Sequence, residues 1–303
     1  MNAGPTGGQP ARAVDAAALA RIGRRLQSAL QSPWLHAEVG RRMADRLPVI
    51  RLQPPRVLDW WSRSGGSAQQ LRRVYPKAEL LLLEPGLPGS ARALSPAPWW
   101  SPQRWRAAQL SVLSVSQLQP ACAELVWANM GLHRWADPQL AFQHWHRALA
   151  VDGFLMFSTL GPGSLTTLQW LYKQAGWPPP FAPFVDMHDL GDMLVGVGFA
   201  DPVMDQETLT LTWSTPAAAL DELRQLGGNA HPQRAAGLRT PRWRQQLMDA
   251  LAQTAGPDGR VALGFEVIYG HAFKPLPRAR VAPTTHVAVD ELQRMARSRR
   301  PAR

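Results

Sequence analysis

Hydrophobic positions along the chain change their period several times, and each change marks an element. Leu35, Val39, Met43 and Leu47 recur every fourth residue with Arg41, Arg42 and Arg46 between them, which predicts the second of two N-terminal helices. Val57-Leu58-Asp59-Trp60 then reads as a first strand, and Gly65-Gly66 opens a helix over Ala68–Tyr75. Leu80–Leu83 is a continuous apolar run, the mark of a strand covered on both faces. Leu110–Leu113, Leu125–Ala128 and Phe154–Ser158 predict further short strands. Between the last two, Pro138–Leu149 predicts a helix with proline at its first turn. Strands alternating with helices call for a parallel sheet built from right-handed crossovers. After Ser158 the rhythm changes. A Gly/Pro-rich stretch, 161–183, leads to a helix over Met187–Val197 that Gly198 ends. Strands over Thr208–Trp213 and Ala262–Phe273 follow, separated by a largely helical segment at 216–255. That separation is too long for a tight hairpin, so the helices between form an insertion beside the ligand-binding edge.

Composition narrows the class. At 303 residues and 45% hydrophobic content the chain can bury a sizeable core. One cysteine, Cys122, leaves no internal disulfide framework and reads as a small core residue. The start lacks the basic-then-apolar layout of a signal peptide, and no run of about 18 apolar residues predicts a membrane span, so the expected location is cytoplasmic. More than half of the formal charge of +11 comes from the segment after Phe273. Residues 1–13 and 276–303 are expected to be disordered, the latter as a basic tail, with one domain over 14–275.

The candidate chemistry lies where strands end. In a doubly wound sheet, ligands sit at the carboxyl ends of the strands, beside a loop whose backbone approaches closely. Strand one runs into Asp59-Trp60-Trp61-Ser62-Arg63-Ser64-Gly65. Glu84 closes strand two, 19 residues after Gly65, at the spacing of an acid that clamps ribose hydroxyls. Val57–Gly65 with Glu84 resembles the first motif and following acid of class I S-adenosylmethionine-dependent methyltransferases. Three further segments, Phe157–Leu165, Phe184–Asp192 and Glu266–Pro275, resemble one family among them, the malonyl-acyl-carrier-protein O-methyltransferases of biotin synthesis. The resemblance spans roughly 34–275. It implies a Rossmann-like α/β fold with a seven-stranded sheet and a helical insertion between the last two strands. It also implies S-adenosyl-L-methionine as cofactor, and malonyl-acyl-carrier protein or malonyl-CoA as substrate.

The same resemblance assigns residues. Asp59, Gly65, Glu84 and Asn129 fall on cofactor-binding positions, and Asn129 and His133 on the catalytic segment, with His133 over the transferring methyl. Departures are equally specific. Trp61 and Arg63 stand on glycine positions, Ala29-Leu30 replaces a Tyr-Asp pair, and Arg134 stands where the family has tryptophan. No acid lies between Glu84 and Glu124 to receive the adenine amine. Trp61 either stacks on the cofactor or plugs its pocket, Asp59 either holds the methionyl end or caps a turn, and Arg63 is expected on the surface. Methyl transfer to a carboxylate needs alignment and dryness rather than a catalytic base, so the lack of an acid–base pair excludes nothing. His133, His144 and His146 do not form a metal set. The tryptophans lie in predicted core elements rather than among the basic residues, which sets nucleic-acid binding aside. Arg234, Arg239, Arg242 and Arg244 either meet an acidic carrier protein or form a solvated face. The enzyme is the leading reading, and a non-catalytic binding or regulatory module on the same fold is the alternative.

Overall fold

The computed structural model describes residues 13–29, 31–84, 110–113 and 115–277. The disorder expected of 1–12 and 278–303, and the position of Leu30, lie outside them.

Seven strands form one sheet: β1 Arg56–Trp60, β2 Glu79–Leu83, β3 Leu110–Leu113, β4 Ala123–Ala128, β5 Leu149–Leu160, β6 Ala200–Trp213 and β7 Val261–Phe273. Their spatial order is β3-β2-β1-β4-β5-β7-β6. The first five pair in parallel, and β7 runs antiparallel to both neighbours. Continuous apolar runs make such strands because each face meets helices. Val57, Leu80 and Leu125 join one core layer, while their neighbours Leu58, Leu81 and Val126 join the other. On the first face lie α2 (Trp34–Ala44), α4 (Ala68–Val74), α6 (Thr166–Gln174), α8 (Pro216–Leu226) and α9 (Pro241–Ala252). On the second lie α5 (Pro138–Ala148) and α7 (Met187–Val197). α1 (Ala16–Ser28) packs a smaller satellite with Ala182 and Ala230.

Local signals set the ends of these elements. Asp137 caps α5 by accepting from Gln139 N–H, with proline at the first turn. Asp186 caps α7, and Gly198 ends it in the left-handed region at φ 106. The insertion proves to be two helices, α8 and α9, joined by a loop. Three elements exceed the sequence-based expectation. β5 runs over Leu149–Leu160 rather than Phe154–Ser158, lengthened at both ends. β6 begins eight residues early, at Ala200, because its first half is an exposed edge with no apolar run. α6 sits inside the Gly/Pro-rich stretch, entered through Leu165 at φ 55 with no side-chain cap. No helix among the described residues is long and apolar enough to cross a membrane.

Candidate active site

Strand β1 delivers its last residues to the carboxyl edge of the sheet, and there the chain turns sharply. Trp61 leaves the strand in the left-handed conformation, φ 61, with its N–H donating to the Leu83 carbonyl at 2.8 Å. Ser62–Gly65 then closes one helical turn, α3, with Gly65 N–H on the Trp61 carbonyl at 2.7 Å. Glu84, just beyond β2, caps that turn, accepting from Arg63 N–H at 2.6 Å and Ser62 Oγ at 3.1 Å. The loop after β1 is therefore a closed, capped turn. Arg63 itself points to solvent, as expected.

The two acids are buried and under-satisfied. Both carboxylate oxygens of Asp59 and Oε2 of Glu84 lack a partner among the described residues. Burial, then the charge of Glu84, pushes the Asp59 carboxyl well above its ordinary range. Burial also raises Glu84, against the opposing pull of the Arg63 and Ser62 hydrogen bonds and of the Arg134 charge. Native proteins rarely leave such groups unpaired, and among the described residues these three oxygens stay open to donors.

Asn129 follows β4 and is expected to face ligand, but its amide is committed within the protein. Nδ2 donates to the carbonyls of His36 (2.7 Å) and Gly65 (2.6 Å), and Oδ1 accepts from Ser158 Oγ at 2.7 Å. It ties α2, the α3 turn and β5 together. His36, absent from the sequence-based candidates, completes the tie by donating from Nδ1 to the Ser64 carbonyl at 2.7 Å. Burial, with the Arg134 charge, lowers this imidazole to about 3. Gly65 is buried against Asn129, where a Cβ would come within 3.2 Å of its carbonyl oxygen. His133 lies in the short 3-10 turn Leu132–Arg134, its ring 6.1 Å from Phe184 and 6.4 Å from His36.

Trp61 decides the shape of the site. Its indole is buried and lies on the backbone of Gly131, where any Cβ would collide with the ring. The Arg134 guanidinium stacks over it at 5.2 Å, and Trp60 and Trp135 meet it edge-on. Two cavities flank this stack. One, of about 320 Å³ and mainly apolar, is lined by His133, Arg134, Leu160, Phe184, Trp243 and Phe265 among others. The other, of about 390 Å³, lies between α1 and the stack, lined by Leu19, Gly23, Arg24, Trp61, Arg134 and Trp135. The open oxygens of Asp59 and Glu84 are matched in chemistry by hydroxyl and ammonium donors. The Trp61 ring stands between Gly131 and the Arg134 guanidinium.

No protein-family model matches the chain. Curated relatives do. It is 37% identical over 251 residues to the malonyl-[acyl-carrier protein] O-methyltransferase of Gallionella capsiferriformans, covering 82% of this chain and 86% of that one. It is 38% identical to the Laribacter hongkongensis protein of the same name, over 81% and 84%. Among solved structures, the Burkholderia thailandensis 1,6-didemethyltoxoflavin-N1-methyltransferase superposes with a TM-score of 0.47 at 15% identity, over 89% of this chain and 94% of that one. At these identities across four-fifths of its length, the chain belongs to the malonyl-[acyl-carrier protein] O-methyltransferase family.

Proposed function

We propose that this chain methylates the free carboxylate of a malonyl thioester carried on acyl-carrier protein, with S-adenosyl-L-methionine as cofactor. Family membership carries the reading, and the site's chemistry supports it. The cofactor supplies an electrophilic methyl group when bound. Asp59 and Glu84 would hold it through the three oxygens that lack partners, while Gly65 and Asn129 keep the α3 turn against β4. The Trp61 indole turns aside, and the cavity on the α1 side gives it somewhere to go. The acyl group enters the apolar cavity beside His133, where hydrocarbon walls strip water from a nucleophile that is already ionised. No base is required. Asn129 acts as a positioning residue, since its amide is spent on the scaffold.

Mass spectrometry of malonyl-acyl-carrier protein after incubation with the chain and S-adenosylmethionine tests this. Gain of one methyl group on malonyl-, and none on acetyl-acyl-carrier protein, is the expected result. A folded chain that binds the malonyl carrier but never methylates it would be the binding module instead.

A further inference from the structure

Arg134 stands at the seam of the two cavities and lines both. Its Nη2 donates to Ser64 Oγ at 2.8 Å, its plane covers Trp61, and its Nε is buried with no partner among the described residues. It makes no ion pair of 4 Å or less with a described carboxylate. Glu84 acts on it from further away, with Oε1 already spent on the α3 turn. Of the residues outside the described part, 1–12, 30, 85–109 and 114 contain no Asp or Glu, and the acids of 278–303 are Asp290 and Glu291. A guanidinium carries five donors in a planar fork matched to a carboxylate, and a half-buried cation with a buried, unpartnered Nε is costly to keep.

We infer that Arg134 is the receptor for a ligand carboxylate, placed where the acyl and cofactor cavities meet. The inference rests on the proposed methyltransferase reading for the identity of those ligands. Two of them offer the same group: the malonyl carboxylate, from the apolar cavity, and the methionyl carboxylate of the cofactor. For malonyl, the fork fixes the orientation of the attacking oxygen and rejects acyl groups that lack the charge. A paired carboxylate oxygen keeps a second lone pair for attack.

Calorimetry without turnover separates the sources. In one arm, malonyl- and acetyl-acyl-carrier protein are titrated into the wild-type chain and the Arg134→Gln and Arg134→Lys variants. In the other, S-adenosylhomocysteine is compared with methylthioadenosine, which lacks the amino-acid end. The wild type should prefer the carboxylate-bearing member of at least one pair by roughly tenfold or more, as expected of a charge-assisted pair. Arg134→Gln should abolish that preference without weakening the ligand that lacks the carboxylate, and Arg134→Lys should restore part of it. Loss in the first arm assigns the malonyl group, and loss in the second assigns the cofactor. A purely structural arginine would lower both members of a pair together. Preferences that survive in a folded Arg134→Gln chain, judged by its melting curve, would overturn the inference. Methyl transfer with such preferences intact would leave the enzyme reading standing and remove Arg134 alone, whereas a carboxylate preference without methyl transfer would do the reverse.

Discussion

Replacing Trp61 with glycine should move stability and cofactor affinity in opposite directions. The indole is 5% exposed. Removing a buried tryptophan takes away roughly 200 Å² of apolar contact, about 5 kcal/mol at 25 cal/mol per Å². Glycine recovers about 1–2 kcal/mol, because φ 61 costs a side-chain-bearing residue and costs glycine little. The net loss is about 3–4 kcal/mol, on the order of a 10 °C fall in melting temperature for a domain of this size. Binding runs the other way. If the wild type must move the indole off Gly131 before the cofactor enters, its apparent affinity is reduced by the small fraction of molecules already open. With the ring re-housed in the α1-side cavity, about half of its burial is kept, so opening costs about 2–3 kcal/mol. Trp61→Gly should therefore bind S-adenosylhomocysteine roughly 30- to 100-fold more tightly while melting earlier. Thermal melts and calorimetry on the same preparations measure both. An affinity that falls, or stays unchanged, in the folded variant would refute the displacement argument and make Trp61 a stacking contact.

The other expectations concern the residues around that ring. Gly131→Ala should destabilise the wild type by about 1–3 kcal/mol through overpacking against Trp61, yet cost almost nothing in a Trp61→Gly background; additive melting shifts would show the two do not touch. Arg134→Trp in that background should regain part of the lost stability, because it returns an aromatic ring to the same space; a further loss would count against the exchange. Asp59 has a raised carboxyl pKa, so the folded state holds its proton while the unfolded state has released it, and stability falls as pH rises from the ordinary carboxylate range toward the folded value. Asp59→Asn should accordingly be more stable at neutral pH and bind cofactor less well; a less stable variant in denaturant titration would contradict this. His36 has the opposite sign. Its folded value of about 3 lies below the unfolded 6.5, so acid favours the unfolded chain, and by about pH 4.5 the wild type should lose about 3 kcal/mol relative to His36→Gln. Parallel pH–stability curves for the two proteins would rule that out.

Much of the sheet was legible because buried parallel strands are written as short apolar runs: Leu110–Leu113 is found to the residue, and Leu80–Leu83 and Leu125–Ala128 to within two. The helix over Met187–Val197 carries its own punctuation in Asp186 and Gly198. What escaped lacks such marks. The first half of β6 is polar and exposed, and α6 starts from an uncapped residue among glycines and prolines. In the candidate site, the places of Asp59 and Glu84 at the ends of β1 and β2 could be read from the apolar runs that precede them. The role of Asn129 could not. Its partners His36, Gly65 and Ser158 lie 93, 64 and 29 residues away, and only the packing of α2 and β5 against β4 brings them together.

Trp61, Gly131 and Arg134 make sense as a set rather than as separate departures. The family resemblance puts glycine at position 61 and tryptophan at position 134, and here the aromatic ring has in effect changed sides. An indole entering from β1 needs a bare backbone to lie on, which Gly131 provides, and a flat partner above it, which Arg134 provides at 5.2 Å. Exchanging ring positions conserves volume, the kind of change a packed interior tolerates best. Yet it leaves a cation between the two cavities and two acids short of donors. A site selected only for stability would have removed these groups, since hydrophobic replacements of buried charges are often neutral or stabilising. Asp59, Glu84 and Arg134 therefore argue for a ligand that brings both the donors and the carboxylate that the described residues do not supply. S-adenosylmethionine and a malonyl thioester carry those groups between them.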